Sequence, residues 1–183
     1  MAPNATSSDY VVFIQGGTGC AHDVELCEQF QIEAPPLFTS EGYPNDMNGY
    51  GMLSGNADEN TLYSTFNRVY VPYCSMDMFL LDAESENGNL QFRGRPLLEE
   101  TLTAVLGTSA AEDVTVVLGG SSAGGVGAFN IASWILDSFD KVTELSVVLD
   151  SALFFDVQGY LTPLLNYVLE DDSVAYSDYC AEV

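Results

Sequence analysis

The sequence predicts an α/β fold with a doubly wound, mainly parallel sheet, and three observations support this. Four short apolar segments rich in β-branched residues predict strands near residues 10–15, 67–73, 114–119 and 145–150. Helix-length amphipathic segments separate the later strands, and glycine-rich turns directly follow two of them. Parallel strands joined by crossovers bring their loops to one edge of the sheet, where ligands of such folds bind.

The first predicted strand runs straight into Gly-Gly-Thr-Gly-Cys at residues 16–20. Glycines let main-chain N–H groups approach a developing negative charge, as in the oxyanion hole that some serine hydrolases build after an early strand. We expect Gly17 and Thr18 to donate N–H groups of this kind. The alternative is that the glycines merely turn the chain.

A long connection precedes the second predicted strand. Residues 35–37 read Pro-Pro-Leu, and the stretch to residue 60 is rich in Gly, Asn, Asp and Ser. This composition predicts a surface excursion that either walls a pocket or is a poorly ordered insertion. After the strand at residues 67–73, Asp77 is expected to line the carboxyl edge of the sheet; the alternative is a solvated loop carboxylate.

Two helices are predicted in the second half of the chain. Arg93 and Arg95 precede Pro96, which suits the first turn of a helix. Its apolar face comprises Leu97, Leu98, Leu102, Val105 and Leu106. Residues 108–113 return the chain to the third strand. A second helix, residues 124–139, carries Trp134 as a core residue, and the fourth strand ends at Asp150.

The turn between the third strand and the second helix reads Gly-Gly-Ser-Ser-Ala-Gly-Gly at residues 119–125. A strand, a G-x-S-x-G turn and a helix form a nucleophile elbow, and the register of Gly120 and Gly124 selects Ser122 as the nucleophile. Ser121 would place Ala123 where the second glycine belongs. The Ala123 N–H would then complete the oxyanion hole.

Two other interpretations of this turn are weaker. A phosphate-binding loop needs a Lys-Ser or Lys-Thr pair after its glycines, and a dinucleotide site needs G-x-G-x-x-G. Neither sequence is present. The remaining alternative is an ordinary small-residue turn of a parallel α/β protein.

The chain resembles the pectin acetylesterase family of α/β-hydrolases, which includes the Notum-like carboxylesterases. Four motifs carry the resemblance, with a fifth segment after the fourth strand: residues 16–20 with Cys27, residues 71–77, residues 92–95, residues 120–125, and residues 149–156. Gly19 departs from the family pattern, which usually has an aromatic residue before the first cysteine. The resemblance implies an α/β-hydrolase-like sheet lacking its last strands, truncated at the carboxyl terminus.

On this interpretation residues 1–8 are a flexible leader, and residues 9–183 are the amino-terminal and central part of one hydrolase domain. The family places its catalytic acid and histidine well after the serine, and only 61 residues follow Ser122. The base and acid are therefore expected outside this sequence. His22, the one histidine, is interpreted as a loop residue; the alternative is that it is the general base. Asp150 is interpreted as a residue that shapes the pocket; the alternative is that it is the acid of the catalytic triad.

Four cysteines without a C-x-x-C pair favour disulfides over a zinc site. Of three possible connectivities, Cys20–Cys27 with Cys74–Cys180 is preferred. The cysteines and the resemblance imply a secreted or cell-wall protein, yet residues 1–8 show no signal peptide. The leader has been removed, the chain starts at an internal methionine, or the protein stays in the cell.

The charge balance excludes several partners. Four basic residues face 27 acidic ones, which gives a formal net charge of −23. Such a field repels nucleic acid and anionic membranes and argues against a polyuronate substrate, although adaptation to salt explains it equally. No segment approaches the roughly 18 apolar residues of a membrane span.

The sequence thus predicts a serine carboxylesterase acting on O-acyl, chiefly O-acetyl, esters. Ser122 is the nucleophile, the substrate is an acylated polysaccharide or another acyl ester with a lipid-like acyl group second, and no metal or organic cofactor is implied. The alternative is a non-catalytic glycan- or ligand-binding protein of hydrolase fold that lacks the base. Whether this chain alone is an enzyme stays open at this point.

Overall fold

The computed structural model describes residues 7–21, 23–85 and 88–152. These residues form six strands and three α-helices. In chain order they are β1 (Tyr10–Ile14), α1 (Val24–Glu33), β2 (Asn67–Val71), β3 (Ala83–Glu84), β4 (Gln91–Phe92), α2 (Gly94–Leu106), β5 (Val114–Ser121), α3 (Ala123–Ser138) and β6 (Val142–Asp150). Short 3₁₀ turns lie at Pro35–Leu37 and Gly51–Leu53. The predictions for His22, for Cys180 and for the segment after residue 152 concern residues that the structure does not describe.

The main sheet has the order β2-β1-β5-β6 with every pair parallel, which confirms the predicted mainly parallel sheet. The chain runs from β1 to β2 on one side and then crosses to β5 on the other. The change of direction between β1 and β5 is a topological switch point, where α/β sheets bind ligands beyond the carboxyl ends of their strands. The loops that emerge there are residues 15–20 and the β5–α3 turn.

The helices α2 and α3 cover one face of this sheet. Alternate strand residues point to the same face, and those that join α2 and α3 in the core are Val12, Ile14, Val116 and Leu118. Leu98, Leu102 and Leu106 of α2 are fully buried, so the predicted apolar face of that helix is confirmed. Trp134 is partly buried and meets Phe139 edge-on, with ring centroids 5.6 Å apart.

The predicted surface excursion covers part of the opposite face. Its second 3₁₀ turn contacts β1 and β2. There Met52 lies against Gly119, and an added Cβ at this glycine would come 2.7 Å from the Met52 sulfur. Asn60 holds the excursion together by donating its side-chain amide to the carbonyls of Met52 and Ser54 at 2.9 and 3.0 Å.

Three features differ from the sequence-based prediction. Residues 24–33 form α1, which begins after Asp23, whose carboxylate accepts the Leu26 N–H at 3.1 Å. The hairpin of β3 and β4 was not predicted, and β6 begins three residues before the predicted start.

The strand β6 lies at one edge of the described sheet, and the apolar residues near its carboxyl end are accessible. Val147, Val148 and Leu149 are 39%, 48% and 37% exposed, and two residues of the adjacent α3, Phe129 and Leu136, are about half exposed.

Candidate active site

The predicted elbow is a strained turn between β5 and α3. Ser122 alone separates the two elements and has φ 50° and ψ −122°, a conformation that costs a non-glycine residue free energy and that clusters at functional sites. Ser121 is instead the last residue of β5, paired with Asp150 of β6. The structure thus places Ser122, not Ser121, at the tip of the turn.

Both glycines of the G-x-S-x-G turn are required by close approach of backbone. A Cβ at Gly120 would overlap the carbonyl of Gly124, and a Cβ at Gly124 would overlap the carbonyl of Ile14. The neighbouring atoms are main-chain atoms, which cannot move aside as a flexible side chain can. The first turn of α3 therefore lies directly against the end of β1.

The loop at residues 16–20 lies beside this elbow. The Gln15 N–H donates to Val71 at 2.9 Å and ends the pairing with β2. An added Cβ on Gly16 would overlap the Ser121 carbonyl oxygen, and one on Gly17 would overlap the Tyr73 ring. Each glycine thus permits one close contact, Gly16 with the elbow and Gly17 with Tyr73.

The contact between Ser122 and this loop involves a carbonyl. Ser122 Oγ donates to the Gly17 carbonyl oxygen at 3.5 Å. No described peptide bond is cis, and the C=O and N–H of a trans peptide point in opposite directions. The Thr18 N–H is therefore directed away from Ser122 Oγ in this conformation. The structure brings the Gly17 carbonyl to Ser122, and the donor roles of Gly17, Thr18 and Ala123 stay predictions.

Ala123 lies where a donor to an anion is expected. It is the first residue of α3 and its side chain is buried. N–H groups in the first turn of a helix have no carbonyl partner within that helix, and the helix dipole favours negative charge there. The Ser122 carbonyl accepts the N–H groups of Gly125 and Val126 at 2.9 and 3.1 Å, which fixes the first turn against the elbow.

Asp77 is buried, with 4% of its surface exposed. Its carboxylate accepts hydrogen bonds from the Ser75 hydroxyl at 2.6 Å, the Phe79 N–H at 2.9 Å and the Gly94 N–H at 2.8 Å. Burial raises the pKa of Asp77 to about 6, and these hydrogen bonds oppose the rise. In the structure Asp77 joins the turn after β2 to the start of α2.

Asp150 lies next to Ser122 at the carboxyl edge of β6. Its carbonyl accepts the Ser122 N–H at 2.8 Å, and its exposed carboxylate accepts the Ser151 hydroxyl at 3.0 Å. Ser151 has φ 54°, so the chain leaves the strand abruptly at this point. The Asp150 backbone thus supports the elbow directly.

The disulfide Cys20–Cys27 is present, with Cα atoms 5.2 Å apart, so this predicted pair is confirmed. It ties the end of the glycine loop to α1. Within residues 7–21, 23–85 and 88–152, no three His, Cys, Asp or Glu side chains lie close enough together to hold a metal ion. Among the described helices, none is long and apolar enough to cross a membrane.

Tyr73 contacts the site but received no role from the sequence. Its ring is fully buried against Gly17. Its one sequence signal is its place as the last residue of the predicted strand at residues 67–73. In the structure Tyr73 lies two residues beyond the end of β2 and precedes a turn in which Met76, Met78 and Phe79 all have positive φ.

Comparison with known proteins identifies the family. The family model described as Pectinacetylesterase matches residues 3–167. The chain is similar to palmitoleoyl-protein carboxylesterase notum2 of Xenopus laevis, with 27% identity over 154 residues, and to palmitoleoyl-protein carboxylesterase NOTUM of Homo sapiens, with 28% identity over 159 residues. These matches cover 82% and 84% of this chain and 32% of each relative. The chain therefore spans about a third of the length of these relatives.

Among solved structures, the chain resembles that of the Wnt deacylase Notum from Drosophila. The TM-score is 0.76 and the identity 27%, over 85% of this chain and 46% of that one. This likeness confirms the α/β-hydrolase-like fold expected from the sequence. Because the family model covers most of the chain, the chain belongs to the pectinacetylesterase family.

Proposed function

We propose that the described residues form the nucleophile and oxyanion portion of a serine carboxylesterase site. The observation that supports this most strongly is Ser122, held at φ 50° between β5 and α3 with its hydroxyl 3.5 Å from the Gly17 carbonyl. The strained serine, the helix amino terminus behind it and the glycine loop beside it are the parts that acyl transfer requires besides a general base.

In the proposed reaction, Ser122 Oγ attacks the ester carbonyl carbon and transfers its proton to a general base. The carbonyl oxygen becomes an oxyanion, which the N–H groups of Ala123 and the glycine loop stabilise. The intermediate then expels the alcohol, which takes up the proton, and leaves an acyl-Ser122 ester. Water releases the acid by the same sequence of steps.

Formation of this oxyanion site requires the Gly17–Thr18 peptide to turn. Its carbonyl faces Ser122 in the structure, and coupled rotations about the Gly17 Cα–C and Thr18 N–Cα bonds would bring the Thr18 N–H to that side instead. Glycine permits such a rotation because it has no Cβ to restrict ψ. Attack on substrate also removes the present bond, since Ser122 Oγ then loses its proton.

The proposed substrate is an O-acyl ester, with acetyl groups on a polysaccharide first and a longer, lipid-like acyl group second. The family description names a pectin acetylesterase, whereas the similar vertebrate proteins are named palmitoleoyl-protein carboxylesterases. The charge of −23 argues for a glycan without dense carboxylates. The disulfide supports a site outside the reducing cytosol.

The test is covalent labelling of the purified chain with a fluorophosphonate, measured by intact mass. If a base within this sequence activates Ser122, with His22 as the one candidate histidine, wild type and Ser121→Ala gain one label, whereas Ser122→Ala gains none. Cleavage of p-nitrophenyl acetate faster than the octanoate ester would then support acetyl as the acyl group, and the reverse order would support the lipid-like one.

The competing proposal is a hydrolase-fold binding protein that lacks general-base activation. A folded wild-type chain that resists the fluorophosphonate as completely as Ser122→Ala would show that no base within this sequence activates Ser122, which is what this alternative expects, and would contradict esterase activity of this chain. Residual hydrolysis alone would not separate the two, because an oxyanion site without a base still accelerates the reaction above the rate in water.

A further inference from the structure

We infer that Tyr73 is a positioning residue for the oxyanion loop: its buried ring fixes the Gly17 α-carbon, about which the Gly17–Thr18 peptide turns. This inference rests on the proposed esterase function. Tyr73 is fully buried, and its ring occupies the space that a side chain on residue 17 would take. The backbone of the loop therefore lies directly on the aromatic ring.

The Tyr73 ring is itself held in place. Its hydroxyl oxygen accepts the Met78 N–H at 2.8 Å, and the ring packs against Phe79 with centroids 4.8 Å apart. Its own backbone N–H donates to the Gln15 side chain at 3.1 Å, and its carbonyl accepts the Tyr43 hydroxyl at 3.3 Å. Burial raises the pKa of Tyr73 well above its ordinary value, so the phenol stays neutral.

The turn that follows Tyr73 holds the other end of the same loop. The Met76 carbonyl accepts the Cys20 N–H at 3.0 Å, and the Met78 side chain lies against Gly19. Residues 17 and 20 are thus both fixed to one turn, which the Asp77 carboxylate closes by accepting the Phe79 N–H. Such a support matters because oxyanion donors act only at well-defined positions, and a displacement of about 1 Å can cost on the order of 100-fold in rate.

The test compares three variants of the full chain. Tyr73→Leu removes the ring, and Tyr73→Phe removes only the hydroxyl. Tyr70→Leu is the matched control, because Tyr70 lies on the preceding strand and stacks on Phe13 instead of on the loop. Two readouts are taken at equal folded fraction: the rate constant of fluorophosphonate labelling, and exchange of the Cys20 amide relative to that of Leu118 in the sheet.

Tyr73→Leu is expected to slow labelling per folded molecule on the order of 10- to 100-fold and to speed Cys20 exchange at least about 10-fold, whereas Tyr70→Leu changes each by less than about threefold. Tyr73→Phe is expected to fall between them, because the Met78 N–H loses its acceptor. If Tyr73→Leu does not fold, the Tyr73→Phe values decide, with Tyr70→Phe as the control.

The two proposals fail in different ways. If wild type is not labelled, no base within this sequence activates Ser122, and exchange of the Cys20 amide alone decides whether Tyr73 holds the loop. If labelling and exchange in the Tyr73 variants match those of the Tyr70 control, Tyr73 is an ordinary core residue and this inference is overturned while the esterase proposal stands.

Discussion

Asp77→Asn should remove a pH dependence of folding that the buried carboxylate creates. The pKa of Asp77 is raised to about 6, chiefly by burial, from an ordinary value near 3.9. Folding thus favours the protonated acid. The contribution of Asp77 to the free energy of unfolding is fully present below about pH 4 and is lost as the pH rises through 6. An aspartate in a surface salt bridge shows the opposite pH dependence.

The magnitude follows from the size of the shift. A difference of about two pKa units corresponds to about 3 kcal/mol between the acidic and neutral limits. About 2 kcal/mol of this is expected between pH 4.5 and 7.5, because part of the transition falls below that window. Asparagine has the same shape and does not titrate. Its amide group faces the Gly94 N–H without accepting from it, which adds a cost of about 1–3 kcal/mol that does not vary with pH.

The assay is urea unfolding of wild type and Asp77→Asn across this pH range, followed by the fluorescence of Trp134. The stability difference, wild type minus variant, should fall by about 2 kcal/mol from pH 4.5 to 7.5. Taking the difference cancels repulsion among the other carboxylates. Ser75→Ala serves as a second variant: it removes a hydrogen bond that lowers the pKa and should move the transition to higher pH.

A difference that stays constant with pH would show that the Asp77 pKa is not raised. A difference that grows with pH would show that the hydrogen bonds outweigh the burial.

Three further changes test the packing around the site. Gly124→Ala should destabilise the chain by more than about 2 kcal/mol in urea unfolding, because its Cβ would overlap the backbone carbonyl of Ile14; an unchanged midpoint would contradict the close approach. Leu102→Ala should cost about 2–5 kcal/mol, since the side chain is fully buried, and a loss below 1 kcal/mol would mean that α2 is not packed as described. Reduction of Cys20–Cys27 should cost about 2–3 kcal/mol in thermal unfolding with and without reductant, as expected for so short a loop.

The sequence identified the site better than it identified the support of the site. The G-x-S-x-G register selected Ser122 because the turn must accept positive φ and two close backbone contacts, and both constraints appear as residue types. The residue types of the turn at residues 75–79 do not predict its backbone conformation in this way. Met76, Met78 and Phe79 adopt positive φ without a glycine among them, so the burial of Asp77 could not be foreseen.

The elements that were missed have weak periodic signals. Helix α1 fully buries only Cys27 among its ten residues, and Val24, Leu26 and Phe30 pack against the core while partly exposed, so its apolar stripe is weak. Its one signal is Asp23, a good amino-terminal cap. The start of β6 was placed late because Thr143 and Glu144 are exposed and polar, and the parallel register with β5 sets its true beginning.

The accessible strand β6 has a consequence for how copies of the chain behave together. Within the described residues it is hydrogen-bonded to β5 on one side, so its other edge presents a row of backbone donors and acceptors beside Val147, Val148 and Leu149. Such an edge is a template for intermolecular strand pairing. At neutral pH the charge of −23 on every copy opposes that pairing. Near the isoelectric point of about 4.1 this repulsion vanishes while the strand edge is unchanged. Acidification should therefore drive edge-to-edge assembly, which can be measured as an increase in light scattering. Salt screens the repulsion and should promote the same scattering at neutral pH.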